Sequence, residues 1–353
     1  MKLSRNEKMI LWGLVRFPMM NDRELSDRIS IRMSTLNAIK NKMKRTGIIF
    51  DRIVPSIEVM DYELLTVSWT PLTRPIREPT DRKFLTNLFS GFPNAYSVMV
   101  FSDTLFSLSL YKNYSQYRVA EQGIRSALRT KDLLSIEEPH SSIYPLSISR
   151  LNKNFDYTSV LERAFDIEPV EDGPSEGISS QEGAKNKIFH LTNKERVILK
   201  GILKAPDMPD NKIASLLDTT RQAVARHKKE LLDLGVIRKT RVLDYGQLGF
   251  NILCLVEAHY DPLETDSADY PDTRPLHLPS FFSVYGMNET VSLSLFQDFE
   301  QFAVSRERYS LLMKSHFRIR GEPSISLFSP ADTFTIKHQD YLPLVERFLS
   351  SGT

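Results

Sequence analysis

The sequence has 353 residues, enough for two to four domains, and its 41% hydrophobic and 25% charged residues are typical of a soluble globular protein. No apolar run approaches the roughly 20 residues of a membrane span, and the charged N-terminal segment lacks the features of a secretory signal, which predicts a cytoplasmic protein without membrane contact. The single cysteine, Cys254, excludes an internal disulfide and is expected to be a buried strand residue.

An internal repeat determines the predicted organisation. Residues 3–49 align with residues 191–237 at a constant offset of 188 and without a gap, and similar segments continue the match over about 165 residues per copy. The intervening residues 167–187 are rich in Glu, Gly, Ser and Pro and contain no aromatic residue, which predicts a flexible acidic linker. The identical pairs include Glu7/Glu195, Pro18/Pro206 and Gly47/Gly235.

Each copy begins with the pattern of three helices. A hydroxyl residue followed three positions later by glutamate, Ser4 with Glu7 and Thr192 with Glu195, predicts a capped helix start. Helically spaced apolar residues then predict a first helix, a short second helix, and a third helix over residues 34–46 and 222–234. A glycine, a strand and a basic turn follow, so we predict a winged helix-turn-helix over residues 1–53 and again over 188–241.

The rest of each copy is predicted to form a small α+β domain. Strand-like runs are interrupted by helices over residues 116–129 and 300–314, and a further strand and helix end each copy. The order β-α-β-β-α-β indicates ferredoxin-like domains over residues 54–166 and 242–353, although residues 73–93 have no clear assignment. The predicted fold class is therefore α+β, with two copies of a winged helix-turn-helix followed by a ferredoxin-like domain.

Charge is distributed unevenly along the chain, although the net charge is only +2. Residues 1–53 contain twelve Lys or Arg against five Asp or Glu, and residues 189–241 contain twelve against six. The two segments therefore carry +7 and +6, which leaves −11 on the rest of the chain. Basic helix-turn-helix segments on an otherwise acidic protein indicate a surface that binds the phosphates of double-stranded DNA.

The N-terminal part of the third helix enters the major groove in such motifs, where Arg pairs with guanine and Asn or Gln with adenine, while lysines hold phosphates. The two third helices differ in composition, so we expect one chain to prefer an asymmetric DNA site. The candidate base contacts are Arg32, Ser34, Thr35, Asn37 and Asn41 in the first copy, and Thr220, Arg221, Gln222, Arg226 and Lys229 in the second. The candidate phosphate contacts are Lys40, Lys42, Lys44 and Lys228, and the candidate wing contacts are Arg52, Arg238, Lys239 and Arg241.

The chain resembles the leucine-responsive regulator/AsnC family of transcription regulators in bacteria and archaea. The resemblance is carried by DRELSDRISIRMSTLNAIKNKMKRTGII and DNKIASLLDTTRQAVARHKKELLDLGVI, and by VMVFSDTLFSLSL and VYGMNETVSLSL. It implies a small-molecule effector near the hairpin residues Asp103, Gly286 and Glu289, although the glycine position is Val100 in the first copy. The family usually has one copy per chain and forms dimers, so the duplication implies an intramolecular pseudo-dimer, of a kind that resembles archaeal regulators, with a homodimer of the whole chain left open.

Two other classes of function stay open beside a sequence-specific transcription regulator. A ligand-sensing or protein-interaction module would keep the helix-turn-helix units as structural parts only. An enzyme would resemble the siroheme decarboxylases, which are similar to this family in fold, but the sequence lacks a Walker loop, a GxGxxG turn, an HExxH helix and a nucleophile elbow. The seven histidines, His227 and His259 among them, form no metal-ligand pair by spacing, so the sequence predicts no enzyme, no cofactor and no metal.

Overall fold

A computed structural model of the chain describes residues 3–57, 60–168, 191–206, 208–259, 278–316 and 321–351. Helices and strands are mixed along both halves, which agrees with the predicted α+β class. No helix within these ranges has the length and apolarity that crossing a membrane would take. The predicted linker, apart from its first two residues, lies outside the described residues.

The elements of the first half follow one another in the predicted order of three helices and then strands and helices. In chain order they are α1 (Arg5–Arg16), α2 (Asp22–Arg28), α3 (Met33–Arg45), β1 (Ile49–Pro55), β2 (Leu64–Pro71), α4 (Pro79–Ser90), β3 (Ala95–Phe101), β4 (Thr104–Tyr111), α5 (Tyr114–Thr130), β5 (His140–Pro145), β6 (Arg150–Asn154) and α6 (Thr158–Phe165). Helix α4 occupies the stretch that the sequence leaves unassigned.

The second half repeats this order among its described residues. The elements are α7 (Asn193–Lys204), α8 (Asp210–Leu216), α9 (Arg221–Asp233), β7 (Ile237–Leu243), β8 (Ile252–His259), β9 (Ser280–Tyr285), β10 (Glu289–Phe296), α10 (Phe299–His316), β11 (Ser324–Phe328), β12 (Thr333–Lys337) and α11 (Leu342–Ser351). The segment that corresponds to α4 lies outside the described residues.

The three-helix segments of the two copies are stabilised by the same local contacts. The Ser4 and Thr192 side chains accept hydrogen bonds from the backbone amides of Glu7 and Glu195 at the starts of α1 and α7. In return, the carboxylate of each glutamate accepts a hydrogen bond from the backbone amide of Ser4 or Thr192. Gly47 and Gly235 follow α3 and α9 with φ of 71° and 69°, a left-handed conformation that costs glycine little. The sequence therefore predicted the boundaries of these helices closely.

The chain divides into two compact units, and each unit contains segments from both copies. The first comprises Met1–Phe50, Ser147–Pro169 and Arg241–Thr333, and the second comprises Asp51–Leu146, Val170–Thr240 and Phe334–Thr353. A five-stranded sheet of order β11-β8-β10-β9-β6 lies in the first unit, and one of order β12-β3-β4-β2-β5 belongs to the second. Each sheet thus takes four strands from one copy and its last strand from the other.

Strands β6 and β12 are exchanged between the two copies. The simplest expectation is that each copy keeps all of its strands, and the structure differs from it at these two strands. Strand β6 runs antiparallel to β9, with Arg150 opposite Tyr285. The buried Lys153 ammonium donates to the Ser280 carbonyl at 3.1 Å, and Lys337 of β12 donates to the Ala95 carbonyl of its own unit at 3.1 Å. Burial lowers the pKa of both lysines because each charge is removed from water, and nearby carboxylates, such as Asp156 for Lys153 and Asp340 for Lys337, offset this only in part.

The ribbon beside the three-helix segments is also shared between the copies. Strands β1 and β7 form a two-stranded sheet, whereas the sequence predicted a ribbon with a basic turn inside each copy. In the first unit the Asp244 amide donates to the Ile48 carbonyl at 3.0 Å, and in the second the Ser56 amide donates to the Val236 carbonyl at 2.9 Å. The basic residues predicted for wing turns therefore lie on ribbon strands.

Helix α6 packs on α1 of the first unit through a buried tryptophan. The Trp12 indole Nε1 donates to Glu162 Oε1 at 3.1 Å. Burial raises the pKa of the Glu162 carboxyl, and the hydrogen bond from Trp12 and the nearby Arg16 lower it only in part. The folded chain therefore binds this proton more tightly than the unfolded chain does.

We predict that Glu162→Gln makes the thermal stability less dependent on pH. The raised pKa of Glu162 stabilises the fold when the carboxyl is protonated, and this contribution is lost as pH rises through the folded-state pKa. Glutamine keeps an acceptor for Trp12 without ionising, so the variant should match the parent in acid and melt higher near neutral pH. Melting curves between about pH 4 and 8 measure this, and parallel losses in both proteins would contradict it.

Candidate nucleic-acid interface

The N-terminal turns of α3 present polar side chains on a helix whose opposite face is buried. Leu36 and Met43 are buried and orient the helix against the rest of its unit. Outward from them, the residues predicted to contact bases divide by exposure. Arg32, Ser34 and Asn41 are exposed, and Thr35 and Asn37 are half-buried at the helix surface.

Helix α9 has the same arrangement with a more cationic surface. Val224 and Leu231 are buried, which orients the helix in the second unit. The Thr220 side chain accepts a hydrogen bond from the Ala223 amide at 3.1 Å, so this predicted DNA contact also serves as the helix cap. Arg221, Gln222, Arg226 and Lys229 are all exposed along the N-terminal two turns.

Three of the lysines predicted to hold phosphates are engaged within the protein. Lys40 lies 2.6 Å from the Asp22 carboxylate, and the equivalent Lys228 lies 3.2 Å from Asp210. Lys42 lies 2.7 Å from Glu7, and this hydrogen bond holds the pKa of the Glu7 carboxyl below its usual value. These ammonium groups therefore tie the third helix of each copy to a neighbouring helix, and their contacts with phosphates stay a prediction. Lys44 is half-buried at the end of α3.

Arg241, which the sequence predicts to be a wing contact with DNA, is buried in the structure. Its side chain is 3% exposed, and its guanidinium donates to the Leu14 carbonyl within the first unit. The amide that would ordinarily bond to that carbonyl is missing, because the residue four positions on is Pro18. Arg241 therefore completes the end of α1 and is not available to DNA.

The other ribbon residues differ in how accessible they are. Arg52 is half-buried and donates to the Asp51 carbonyl at 3.3 Å, and the Lys239 ammonium lies 3.9 Å from the Asp51 carboxylate. Arg238 is exposed on β7. Of the four predicted wing contacts, Arg238 is thus the one best placed to reach a phosphate.

The residues implied as effector contacts lie at hairpin turns. Asp103 is exposed between β3 and β4 in the second unit, and the Gly286 amide donates to the Glu289 carbonyl at 2.8 Å in the turn between β9 and β10 of the first. Gly286 and Glu289 thus share one turn of the first unit, and Asp103 lies at a turn of the second.

A cavity of about 600 Å³ lies in the second unit at the opposite end of the β3–β4 hairpin. Arg347 of α11 donates to Asn94 Oδ1 at 2.7 Å in its wall, and Tyr62 donates to the Leu344 carbonyl at 3.0 Å. Burial raises the pKa of Tyr62 to about 12, so it remains a neutral donor. The charged lining residues are Lys112, Glu346 and Arg347. Sequence reasoning missed them because they lie far apart in the chain and form no motif.

Comparisons with known proteins give structural likeness alone. No protein-family model matches the sequence, and no curated protein matches it. The siroheme decarboxylase NirDL aligns over 98% of this chain and 99% of its own, with 11% identity and a TM-score of 0.47. A transcriptional regulator of Neisseria meningitidis in complex with L-methionine aligns over 40% of this chain and 89% of its own, with 15% identity and a TM-score of 0.32. An AsnC-family regulator of Agrobacterium tumefaciens aligns over 40% of this chain and 89% of its own, with 16% identity and a TM-score of 0.31.

The prediction that the chain is not an enzyme is wrong. Structures that match the chain over 98% of its length are those of a decarboxylase, and one of them holds an iron-uroporphyrin III analogue. The prediction failed because it tested for local motifs. A reaction site built from residues dispersed over several elements leaves no such motif in a sequence.

We predict that Arg241→Ala destabilises the first unit, whereas Arg238→Ala does not. Loss of the buried guanidinium leaves the Leu14 carbonyl without its donor, which costs about 1–3 kcal/mol of unfolding free energy. The exposed Arg238 should contribute within about 0.5 kcal/mol. Chemical denaturation followed by tryptophan fluorescence, to which Trp12 of the first unit contributes, measures both, and equal losses in the two variants would contradict the assignment.

Proposed function

We propose that the chain is a regulator that binds duplex DNA through α3 and α9, each within a helix-turn-helix segment. The observation that carries the proposal is the doubled arrangement of a third helix buried on one face and polar or cationic on the other. Both helices belong to segments with a large excess of Lys and Arg, although the rest of the chain is acidic. Such a distribution attracts a polyanion and orients the basic faces toward it.

The exposed residues of α9 support base recognition. Arg221 and Arg226 lie five positions apart and both are exposed near the start of the helix, where recognition helices contact base edges. An arginine that forks onto guanine supplies about 1–3 kcal/mol of discrimination. Gln222 and Lys229 flank them, and Arg238 is positioned for the phosphate backbone. Helix α3 offers Arg32, Ser34 and Asn41 in the corresponding turns, with fewer charges.

The duplication extends this proposal to the DNA site. Two unlike recognition helices in one chain favour an asymmetric site and allow a pseudo-dimer within a single polypeptide. The shared ribbon of β1 and β7 stands where the family has a wing in each copy, and the β-α-β-β-α-β order supports a ferredoxin-like domain in the first copy. Binding as a monomer predicts one chain per site.

The cavity of the second unit favours a second function, the binding of a small molecule that bears carboxylates. Two cationic side chains, Lys112 and Arg347, line it. Arginine and lysine are the groups that recognise carboxylates, and about 600 Å³ is within the range of small-molecule sites. Such a ligand would act either as an effector of DNA binding or as the substrate of a reaction.

For DNA binding we predict that Arg221→Ala/Arg226→Ala lowers affinity for a selected site by roughly tenfold or more and affinity for random duplex much less, because base contacts are lost. The parent protein should also bind less tightly as salt increases, since phosphate contacts release counterions. Selection from a random duplex library, followed by competition at fixed salt, measures both quantities.

The matched control is Lys194→Ala/Lys204→Ala, which removes the same charge from exposed positions of α7 in the same unit. It should leave the ratio of specific to nonspecific affinity unchanged. Equal ratios for the arginine pair and this control would remove the base-reading role. Affinity that does not respond to salt would reject the basic faces as the docking surface.

For the cavity we predict that the full chain binds iron-uroporphyrin, a polycarboxylate, and that Arg347→Met weakens binding at least tenfold. The guanidinium lost in this variant is a charged partner for a ligand carboxylate. Absorbance titration measures binding, and carbon dioxide release distinguishes a substrate from an effector. Unchanged affinity in Arg347→Met, with Arg221→Ala/Arg226→Ala as the control, would contradict the assignment.

A further inference from the structure

Three ionisable side chains converge between α7 and α9 in the second unit. Glu195 lies on α7, and His227 and Glu230 lie three positions apart on one face of α9. The His227 Nδ1 atom is 3.4 Å from Glu195 Oε1 and 3.6 Å from Glu230 Oε2, and all three ligand atoms lie within 4.8 Å of one another. Sequence spacing alone could not join Glu195 to the other two.

The cluster is built into the fold. Glu195 closes the capping box of α7, where its Oε2 accepts hydrogen bonds from the Thr192 amide at 2.8 Å and the Thr192 hydroxyl at 2.7 Å. This fixes the carboxylate and turns Oε1 toward His227. The Glu195 side chain is only 7% exposed, and the His227 Nδ1 atom is buried and makes no hydrogen bond among the described residues. A buried ring nitrogen without such a bond beside two carboxylates points to a cation that they share.

The first copy has different residues at the positions equivalent to this cluster. At the offset of 188, Glu195 corresponds to Glu7 and Glu230 corresponds to Lys42. Lys42 lies 2.7 Å from Glu7, so in the first copy the third helix supplies the cation itself. The second copy replaces that lysine with a second carboxylate and the equivalent Ile39 with His227. The third helix of the second copy therefore presents a carboxylate and an imidazole to Glu195, where the first copy presents an ammonium to Glu7.

We propose that Glu195, His227 and Glu230 bind a divalent first-row transition-metal ion that ties α9 to α7. One imidazole nitrogen and two carboxylate oxygens form a donor set that such ions accept, with solvent completing the coordination. Ligands held about 2.0–2.2 Å from a tetrahedral ion lie roughly 3.4 Å apart, which matches the two separations from Nδ1. The proposal goes beyond DNA binding and does not depend on it.

A second group of the same composition serves as the internal control. Glu257, His259 and Glu289 lie together in the first unit, with His259 Nε2 3.7 Å from Glu257 and Nδ1 3.9 Å from Glu289. The His259 side chain is 52% exposed, and its two nitrogens face different carboxylates. One ion cannot bind through both ring nitrogens. In this surface group no single nitrogen faces both carboxylates, whereas Nδ1 of His227 does.

The test is a titration of the tag-free full chain with Zn²⁺ by calorimetry and with Co²⁺ by visible absorption. We expect about one equivalent bound, a tetrahedral Co²⁺ spectrum, and a rise in melting temperature with Zn²⁺. The variants are His227→Ile and Glu230→Lys, which install the residues of the first copy. Both should lose the Co²⁺ spectrum and the Zn²⁺-dependent rise, whereas His259→Ala should retain both.

Glu230→Lys also guards against a trivial loss through misfolding. Its lysine can pair with Glu195 as Lys42 pairs with Glu7, so we expect it to melt at or above the metal-free parent. No bound ion in the parent, an unchanged spectrum in Glu230→Lys, or a spectrum lost in His259→Ala would each overturn the proposal. Because the readouts are metal binding and melting, failure of DNA binding would leave the result intact.

Discussion

The exchange of β6 and β12 is the constraint on which the rest of the structure depends. A sheet edge exposes unpaired backbone groups, and here the strand that covers β9 or β3 comes from the other copy. The residues after each exchanged strand anchor it in the same way. Tyr157 stacks on Phe281 with ring centroids 5.0 Å apart, and Tyr341 stacks on Tyr96 at 4.7 Å. Neither unit would be complete if the chain were cut into its two sequence repeats.

The exchange also decides which helices each sheet supports. Helix α6 follows β6 and packs on α1, and α11 follows β12 and contacts α7, where Arg196 donates to the Leu349 carbonyl at 3.1 Å. In the second unit this forms a continuous path. The cavity is bounded by α11 through Arg347, α11 contacts α7, and α7 carries the Glu195 carboxylate that faces α9. The cavity and the cluster are therefore joined to the helix proposed to read DNA through α11 and α7.

The sequence predicted what local chemistry determines and missed what depends on distant partners. Capping boxes, helix periodicity and the two glycines placed α1–α3 and α7–α9 correctly, because each signal lies within a few residues. The ribbon strands and the exchanged strands β6 and β12 were expected to pair within one copy, because the sequence of a strand does not indicate which strand it pairs with. Arg241 illustrates the same limit. Its basic surroundings suggested a DNA contact, but its role follows from Pro18, which leaves the Leu14 carbonyl without a donor.

Comparing the two copies separates what their common architecture requires from what each has acquired. The tie between the second and third helices is kept in both, as Asp22 with Lys40 and as Asp210 with Lys228. The tie between the first and third helices is kept in place but changed in chemistry, from the Glu7–Lys42 ion pair to the cluster around His227. That difference falls on the same helix that has Arg221 and Arg226 where the first copy has Met33 and Ala38. The tie between the first and third helices is therefore supplied by the protein's own charges in the first copy, whereas in the second copy the proposed ion would supply it.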